Sequence, residues 1–397
     1  MSASTRRAVV LPLVSSLSLL FLAGCGPAAD EPGALGSEDV FADNGELNSE
    51  LGLARRAAVF TLSNETKNEV LVFRRGDEGR LIPAGRIPTG GMGSGAGLGS
   101  QGALALSPNG RWLLAVNAGS DQLSVFWVIG TALYLTDVDA SGGKQPISVT
   151  MQGNLVYVLN AGGDGNVTGF RLDCWGRLHR IAGSSQPLSS RASGPAQVSL
   201  SANRRTLVVT EKATNAITTY AVREDGSLGS PAVTPSSGQT PFGFALTSDG
   251  TLVVSEAVGA MPNLGTVSSY RLGTGAAPGL VSASVHTGQT APCWVAITDD
   301  DAYAYSANTP AGTITGFAID VAGGLSLLGD AGQTASTGAG SRPADLALSH
   351  HGRFLYVLEA GAHRIGAYQV QRNGALVEVQ VPGAGELPTS TVGLVAL

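Results

Sequence analysis

Apolar residues recur along the chain in short runs with a period of two, separated by glycine-rich turns. The clearest example is residues 113–126, LLAVNAGSDQLSVF, in which an aliphatic run ends at Asn117 and a second alternating run follows the turn. This pattern predicts a strand, a tight turn and a second strand. Helical periodicity is absent from most of the chain beyond its N-terminal segment. The sequence therefore predicts an all-β protein.

The strand–turn–strand pattern repeats along the chain. Further copies begin at Val59, Val156, Leu207, Leu252, Ala302 and Leu355. Their spacing of roughly fifty residues is the period of a four-stranded propeller blade. The first copy lacks a preceding innermost strand, and the chain finishes on a lone apolar run, residues 392–397. We therefore predict a seven-bladed β-propeller with four-stranded blades, closed by the C-terminal strand joining the first blade.

The N-terminal segment has the pattern of a targeting signal. Arg6 and Arg7 precede an apolar stretch that ends in Leu22-Ala-Gly-Cys25. This segment resembles a bacterial lipoprotein signal, which implies removal of residues 1–24 and lipidation of Cys25, with an outer-membrane location in the cell envelope. An ordinary secretory signal and a spanning helix are the alternatives. Residues 25–55 are rich in Gly, Pro and acidic residues and read as a disordered tether, so the propeller is expected over 56–397.

Charge narrows the range of partners. The net charge of −6 without a basic cluster argues against a nucleic-acid surface, which needs clustered Lys and Arg. Membrane contact is expected only through the lipid anchor, and we expect a monomer. The glycine run 90–99 contains a loose dinucleotide-binding pattern, but a strand follows it rather than a helix. We interpret it as a flexible connection between blades and predict no cofactor.

Metal chemistry has little support in the sequence. No His-Glu-x-x-His or paired Cys-x-x-Cys motif occurs, so no zinc site is predicted. His350-His351 and Asp299-Asp-Asp301 fall in equivalent turns of neighbouring blades. We read the first as a solvated turn. The second lacks the alternating ligand spacing of a calcium loop and also reads as a turn, with calcium left as the alternative.

One polar residue closes the second strand of every repeat. These residues are Asn64, Asn117, Asn160, Glu211, Glu256, Asn308 and Glu359. Sevenfold geometry places them on one face around the central funnel. Asparagine readily caps a tight turn, whereas glutamate does so less well, so structural and functional interpretations both stay open for the glutamates. We take Asn117, Asn160, Asn308 and Glu359 as candidate ligand-binding residues.

A second ring of candidates lies at the start of the innermost strands. Gln197, Trp294 and Asp345 follow a proline there and are expected to line the upper channel. Arg342 is the cation placed to reach the mouth, with Lys212 a weaker candidate. Carboxylates beside an arginine can activate water and hold an oxyanion, so Glu211, Glu256 and Arg342 are the candidate catalytic residues.

Several motifs resemble the lactonase-like seven-bladed propellers, the family that includes 6-phosphogluconolactonase. They are Ser107-Pro-Asn-Gly110, Gly194-Pro-Ala-Gln197 with Val209-Thr-Glu211 after it, and Arg353-Phe-Leu-Tyr-Val357. In the family's enzymes a Gly-Pro-Arg-His motif precedes a strand ending in Asn-Glu. The resemblance assigns that Glu to Glu211, whereas the Arg and His positions hold Ala196 and Gln197.

Two functions remain as hypotheses. The first is an envelope-anchored hydrolase of a small sugar or organic lactone, in which a glutamate activates water and Arg342 supports the carbonyl oxygen. Retention of Glu211 favours it. The second is a non-enzymatic propeller that binds a glycan, a peptide or a partner protein. The missing Arg-His pair favours that alternative.

Overall fold

The computed structural model describes residues 57–273, 277–329, 332–379 and 387–397. Cys25 and the predicted signal and tether lie outside the described residues. Within the described part, the strands form seven antiparallel sheets, and the one helical element is a single 3₁₀ turn, Val258–Ala260. No helix in this part of the chain is long and apolar enough to span a membrane.

Each sheet is one blade, and in blades 2 to 7 the strands follow the chain from the channel outwards. Blade 1 contains β1 (Ala58–Leu62), β2 (Glu69–Arg75) and β3 (Leu81–Pro88), and blade 2 contains β4 (Leu104–Leu106), β5 (Trp112–Asn117), β6 (Gln122–Ile129) and β7 (Ala132–Ala140). Blade 3 contains β8 (Lys144–Gln152), β9 (Leu155–Gly162), β10 (Asn166–Leu172), β11 (Leu178–Arg180) and β12 (Gln186–Pro187). Blade 4 contains β13 (Pro195–Leu200), β14 (Thr206–Glu211), β15 (Ala216–Ala221) and β16 (Ala232–Pro235). Blade 5 contains β17 (Pro241–Leu246), β18 (Thr251–Glu256), β19 (Thr266–Arg271) and β20 (Gly279–His286). Blade 6 contains β21 (Pro292–Ile297), β22 (Tyr303–Asn308), β23 (Thr313–Ile319), β24 (Leu325–Leu327) and β25 (Ala335–Ser336). Blade 7 contains β26 (Pro343–Leu348), β27 (Phe354–Glu359), β28 (Arg364–Val370) and β29 (Leu376–Glu378). In blades 3 and 6 the outermost strand is split into two short pieces that pair with the same third strand.

The C-terminal strand β30 (Val392–Ala396) completes blade 1. It pairs antiparallel with β1, with Val59 opposite Ala396 and Phe60 opposite Val395. The innermost strands then contact one another in a closed order, β30, β4, β8, β13, β17, β21, β26 and back to β30. The predicted seven-bladed propeller and its closure by the last strand are confirmed.

The core lies between neighbouring blades. Second strands such as β14 and β27 are buried along their whole length, because blades cover both of their faces. The outermost strand β3, with one face toward solvent, is mostly exposed. One apolar cluster joins Phe60 of blade 1, Leu113 of blade 2 and Val156 of blade 3. A continuous apolar run in the sequence therefore marks a second strand, because both faces of that strand are buried.

Buried tyrosines tie each of several blades to the next. The hydroxyl of Tyr157 in blade 3 donates to the carbonyl of Gly226 in blade 4 at 2.8 Å. Tyr305 makes the same bond from blade 6 to blade 7, and Tyr356 makes it from blade 7 to blade 1, both at 2.9 Å. The last bond joins the last blade to the first, so this interface has the same tyrosine bond as the other two.

Candidate functional site

The glycine-rich connection between β3 and β4 runs across the mouth of the central channel. We call residues 97–102 the plug. The backbone N–H of Gln101 donates to Ala196 in blade 4 at 3.1 Å, and the Ser100 hydroxyl donates to Ile147 in blade 3 at 2.9 Å. The indole N–H of Trp294 in blade 6 donates to the Ser100 carbonyl at 3.0 Å. Three other blades therefore bind the plug, which continues the glycine run 90–99 that we interpreted as a flexible connection.

The side chain of Gln101 bridges two blades that are not neighbours in the ring. Its Nε2 donates to the carbonyl of Val295 at 2.7 Å, and its Oε1 accepts the N–H of Val295 at 3.0 Å. This pair of hydrogen bonds joins the start of blade 2 to the innermost strand of blade 6. Gly243 allows the close approach, since a Cβ there would clash with the Gln101 amide oxygen.

Gln197 and Asp345 line a cavity of about 220 Å³ together with Gln101. The Gln197 amide is bonded to the backbone N–H and C=O of Phe244 in the next blade, at 2.7 and 2.9 Å. Asp345 is 2% exposed, and its Oδ1 accepts the N–H of Leu346 at 2.8 Å. Burial raises the pKa of the Asp345 carboxyl well above its usual range. Both residues lie at the channel as expected, but inside it rather than at an open mouth.

The polar residues that close the second strands are buried without exception, none more than 1% exposed. In four of these blades the side chain bonds to a hydroxyl on the third strand of the same blade, as for Glu256 with Thr266 and Ser268. Asn117 donates to Ser124 at 2.7 Å, and Asn308 donates to Thr315 at 2.9 Å. Glu211 accepts from Thr218 at 2.8 Å. In these four blades the residue ties the second and third strands together at the end of the blade.

The carboxylates of Glu211 and Glu256 each accept several hydrogen bonds. Glu211 accepts from the Ser189 N–H at 3.1 Å, from the Ser189 hydroxyl, and from Thr214 at 3.0 Å, in addition to Thr218. Glu256 accepts from the Gly238 N–H at 2.7 Å and from the hydroxyls of Ser236, Thr266, Ser268 and Ser284. The donors come partly from the loop that leads to the innermost strand, so they hold the carboxylates inside the blade.

The other two candidates of this ring are also held in place. Oε2 of Glu359 accepts from Nε of Arg364 at 2.6 Å. Burial raises the pKa of the Glu359 carboxyl, and the bond from Arg364 opposes this shift. Asn160 donates to the Ser141 carbonyl at 3.4 Å, and its buried Oδ1 has no hydrogen-bond partner in the described part of the chain.

A cleft of about 540 Å³ lies beside the plug, between it and blades 6, 7 and 1. Its walls include Leu98, Trp294, Thr309, Arg342, His363 and Thr391. Two of the predicted residues, Arg342 and Trp294, therefore share a cleft. Glu211 and Glu256 are not among its lining residues. The structure does not bring these carboxylates and Arg342 together at one opening, because the hydroxyl donors hold them within blades 4 and 5.

Backbone geometry directs Arg342 to this cleft. The residue has φ of 49°, in the left-handed region, directly before Pro343. The residues before the equivalent prolines, among them Gln145 and Thr240, share this conformation, and blade 4 uses Gly194 there. The Arg342 side chain is exposed, and within the described residues it makes no hydrogen bond or ion pair. It is a free guanidinium at a cleft wall.

His363 is a functional candidate that the sequence reasoning missed. Its Nδ1 lies 3.1 Å from the carbonyl oxygen of Leu387. A carbonyl only accepts hydrogen bonds, so Nδ1 carries a proton, and in the neutral imidazole Nε2 is then the acceptor. Nε2 has no hydrogen-bond partner in the described part of the chain. The available signal was the position of His363 in the turn after Glu359, on the same face as Arg342.

Sequence comparison assigns the family. The profile described as lactonase, 7-bladed beta-propeller matches residues 53–186, 177–258 and 261–389. The chain belongs to this lactonase family. A comparison with curated proteins by sequence found no match.

Solved structures agree in fold with this lactonase-family chain. The periplasmic gluconolactonase of Pseudomonas aeruginosa is similar at 16% identity over 85% of this chain and 98% of its own, with a TM-score of 0.66. A protein from Lactobacillus plantarum is similar at 17% identity over 86% of this chain and 99% of its own, with a TM-score of 0.67. Identities this low establish the shared propeller alone.

The family motif in blade 4 is buried in this lactonase-family propeller. The Ala196 carbonyl accepts the backbone N–H of Gln101 in the plug, and the Gln197 amide donates to the Phe244 carbonyl in blade 5. A second cleft of about 380 Å³ opens there, lined by Leu98, Gln145, Arg191 and Lys212. Nζ of Lys212 donates to the Gly99 carbonyl at 2.5 Å and lies 4.8 Å from the Phe242 ring centre. Burial lowers the pKa of the Lys212 amine. The bond to Gly99 makes Lys212 part of the plug's attachment.

Proposed function

We propose that this propeller hydrolyses a small sugar or organic lactone in the cleft beside the plug. The observation that carries the proposal is a free guanidinium, Arg342, and an imidazole with its Nε2 available, His363, in one cleft of about 540 Å³. Membership of the lactonase family supports the same reaction class. An Arg and a His, which the family motif in blade 4 lacks, occur here on blade 7.

The chemistry assigns one role to each residue. His363 takes a proton from water through Nε2, and the resulting hydroxide attacks the lactone carbonyl. Arg342 stabilises the negative charge that develops on the carbonyl oxygen. The ring C–O bond then breaks, and the leaving alkoxide takes the proton back from His363, which gives an open hydroxy acid. Trp294 forms an apolar part of the wall, with its indole N–H fixed on Ser100.

This assignment moves the water-activating role from the glutamates to His363. Glu211 and Glu256 hold their carboxylates in buried sets of donors, so we propose that they stabilise blades 4 and 5. A double variant Glu211→Gln, Glu256→Gln should lose about 1–3 kcal/mol at each site, because an amide nitrogen cannot accept the bonds that a carboxylate oxygen accepts. Its turnover per folded molecule should remain.

The test is hydrolysis of a lactone panel by purified residues 56–397, followed by pH-stat. His363→Asn and Arg342→Gln should each reduce turnover about 100-fold or more. Arg353→Gln, on the opposite end of the blade, is the matched control and should leave turnover unchanged. Equal turnover in all variants would place the chemistry outside this cleft. Loss only in the glutamate double variant, with its fold intact, would restore the carboxylate mechanism.

A non-enzymatic binding propeller is the second candidate function. The 3₁₀ turn of blade 5 and the residues after it expose Met261 and Leu264, which are 44% exposed each. Such apolar side chains in a loop favour contact with a partner protein or peptide. Absence of turnover across the panel, together with pull-down of one envelope partner that Met261→Ser and Leu264→Ser abolish, would support this function instead.

We also propose that the propeller is held at the cell envelope by lipid on Cys25. The support is the Leu22–Cys25 motif of the sequence. Full-length protein expressed in a diderm bacterium should incorporate radiolabelled palmitate and fractionate with outer membranes. Cys25→Ser should abolish both properties, and labelling that persists in this variant would contradict the proposal.

A further inference from the structure

Two histidines and an aspartate converge on the end of the propeller opposite the plug. Asp299 lies in the turn between β21 and β22 of blade 6, and His350 and His351 lie in the equivalent turn of blade 7. One ligand atom from each of the three residues lies within 4.8 Å of the other two. All three side chains are exposed. The turn sequences belong to different blades, so only the closed packing of blades 6 and 7 brings them together.

The backbone fixes the relative positions of these groups. Oδ2 of Asp299 accepts the N–H of His351 at 2.7 Å, which holds the carboxylate against blade 7. His351 has φ of 70°, in the left-handed region, so its ring turns to the same side as that of His350. The two ring centres are 4.1 Å apart. Adjacent residues in a regular strand would instead project to opposite faces.

The distance between His350 and Asp299 is closer to that of two ligands of one metal ion than to that of a direct hydrogen bond. Nδ1 of His350 lies 4.0 Å from Oδ2 of Asp299, beyond hydrogen-bond length. Two ligands of a tetrahedral ion with bonds of about 2.0–2.1 Å lie about 3.4 Å apart. A rotation of exposed side chains closes this difference without a backbone shift. Imidazole nitrogen with carboxylate oxygen is a donor set for zinc, copper or nickel rather than for calcium or magnesium.

The neighbouring aspartates have other partners, which separates Asp299 from a simple acidic cluster. Asp300 caps its own turn by accepting from the Thr298 hydroxyl at 2.6 Å and from the Ala302 N–H at 3.1 Å. Asp301 points away from blade 7, toward blade 5, where it accepts the N–H of Ser248 at 2.9 Å. The three carboxylates point to three different turns, so they do not form a calcium loop.

We propose that Asp299, His350 and His351 bind one divalent transition-metal ion of the zinc type between blades 6 and 7. Three protein ligands leave a fourth position for water or an exogenous group. Asp299 and His350 also line a cleft of about 490 Å³ at this end, which gives such a group access. The site is independent of the lactone cleft, because none of its ligands lines that cleft.

The experiment is calorimetric titration of Zn²⁺ into untagged residues 56–397 after treatment with a chelator and its removal. The wild type should bind one equivalent. Asp299→Asn, His350→Asn and His351→Asn should each weaken binding by more than about tenfold, the effect usual for loss of even an outer-shell partner. Asparagine tolerates the left-handed backbone at position 351, so these exposed variants should keep the fold. His286→Asn, an exposed histidine on β20, is the matched control.

Cobalt provides a second readout that does not depend on affinity alone. Co²⁺ bound to the wild type should give the visible absorption of a low-coordinate site, and the ligand variants should give the spectrum of the hydrated ion. Circular dichroism checks that each variant is folded. Absence of a stoichiometric binding event in the wild type would overturn the proposal. Binding that persists unchanged in the three ligand variants would also overturn it.

Discussion

At the scale of single residues, the supply of donors explains why glutamate replaces asparagine at the end of three second strands. An asparagine amide both donates and accepts, and Asn64 uses both abilities, with Ser94 and Ala96 as partners. A carboxylate only accepts. Glu211 and Glu256 are surrounded by hydroxyls and N–H groups, and Glu359 faces Arg364. The substitution follows local hydrogen-bond chemistry.

Asp345→Asn should remove a pH-dependent loss of stability. Burial raises the pKa of the Asp345 carboxyl, so the folded protein keeps a proton that the unfolded chain releases as pH rises. Below the ordinary carboxyl pKa both states hold the proton, and this residue adds no pH dependence. Above it, wild-type stability falls with pH until the raised pKa is passed. The variant should lack this fall.

Urea unfolding of both proteins from about pH 4 to pH 8 measures this effect. The difference in unfolding free energy between variant and wild type should grow in favour of the variant as pH rises. Curves that stay parallel over the whole range would show that Asp345 is ionised in the folded protein.

The sequence pattern located several site residues but not the direction of their side chains. It placed Asn117, Glu211 and the rest of that ring at the ends of second strands, as the structure has them. It did not predict their burial, because donors such as Ser189 lie in loops without a periodic signal. His363 was missed because its tautomer depends on Leu387, a residue 24 positions away.

At the scale of elements, the plug carries the largest difference between expectation and structure. The plug and the glycine run before it, residues 90–102, have no hydrophobic period, and glycine gives no local preference for an ordered path. The order comes from partners far along the chain, since Ser100 bonds to residue 147 and Gln101 bonds to residue 295. Single-sequence reasoning predicts local structure, so it could not foresee these contacts.

Gln101→Ala should loosen the plug and lower stability by about 1–3 kcal/mol, because the N–H and C=O of Val295 lose their partners inside the channel. Hydrogen exchange at residues 97–102 and at Val295 should accelerate. Gln369→Ala, on the third strand of blade 7, is the control and should change neither property by a comparable amount. Unaltered protection of Val295 would contradict a holding role for the Gln101 amide.

At the scale of the whole molecule, the two ends of the chain close the ring as the sequence predicted. The prediction succeeded because a blade without an innermost strand and a strand without a blade are complementary. The seam also uses specific contacts: the Thr61 hydroxyl donates to Gly393 at 2.6 Å, and the Ser390 hydroxyl donates to Ser63 at 2.8 Å. Residues 332 and 327 positions apart thus form one blade.

Leu394→Asp should open this seam. Leu394 is 5% exposed, so the substitution removes a buried side chain and introduces a charge, at a cost of about 3 kcal/mol or more. The exposed edge of β1 should then promote association. Thermal unfolding and light scattering measure the two effects. Val377→Asp, on the exposed outer strand β29, should leave both near wild type, and equal behaviour of the two variants would contradict a closing role for β30.

The bridge from Gln101 to Val295 has a consequence for how the molecule unfolds. Repeat proteins whose units touch only their neighbours behave as one-dimensional chains, in which units can be lost singly from an end. Here the start of blade 2 is bonded to blade 6 across the channel. Loss of one blade therefore breaks contacts on the far side of the ring as well. Because these bonds add contacts across the channel to those between neighbouring blades, we expect the blades to unfold together in a single cooperative transition.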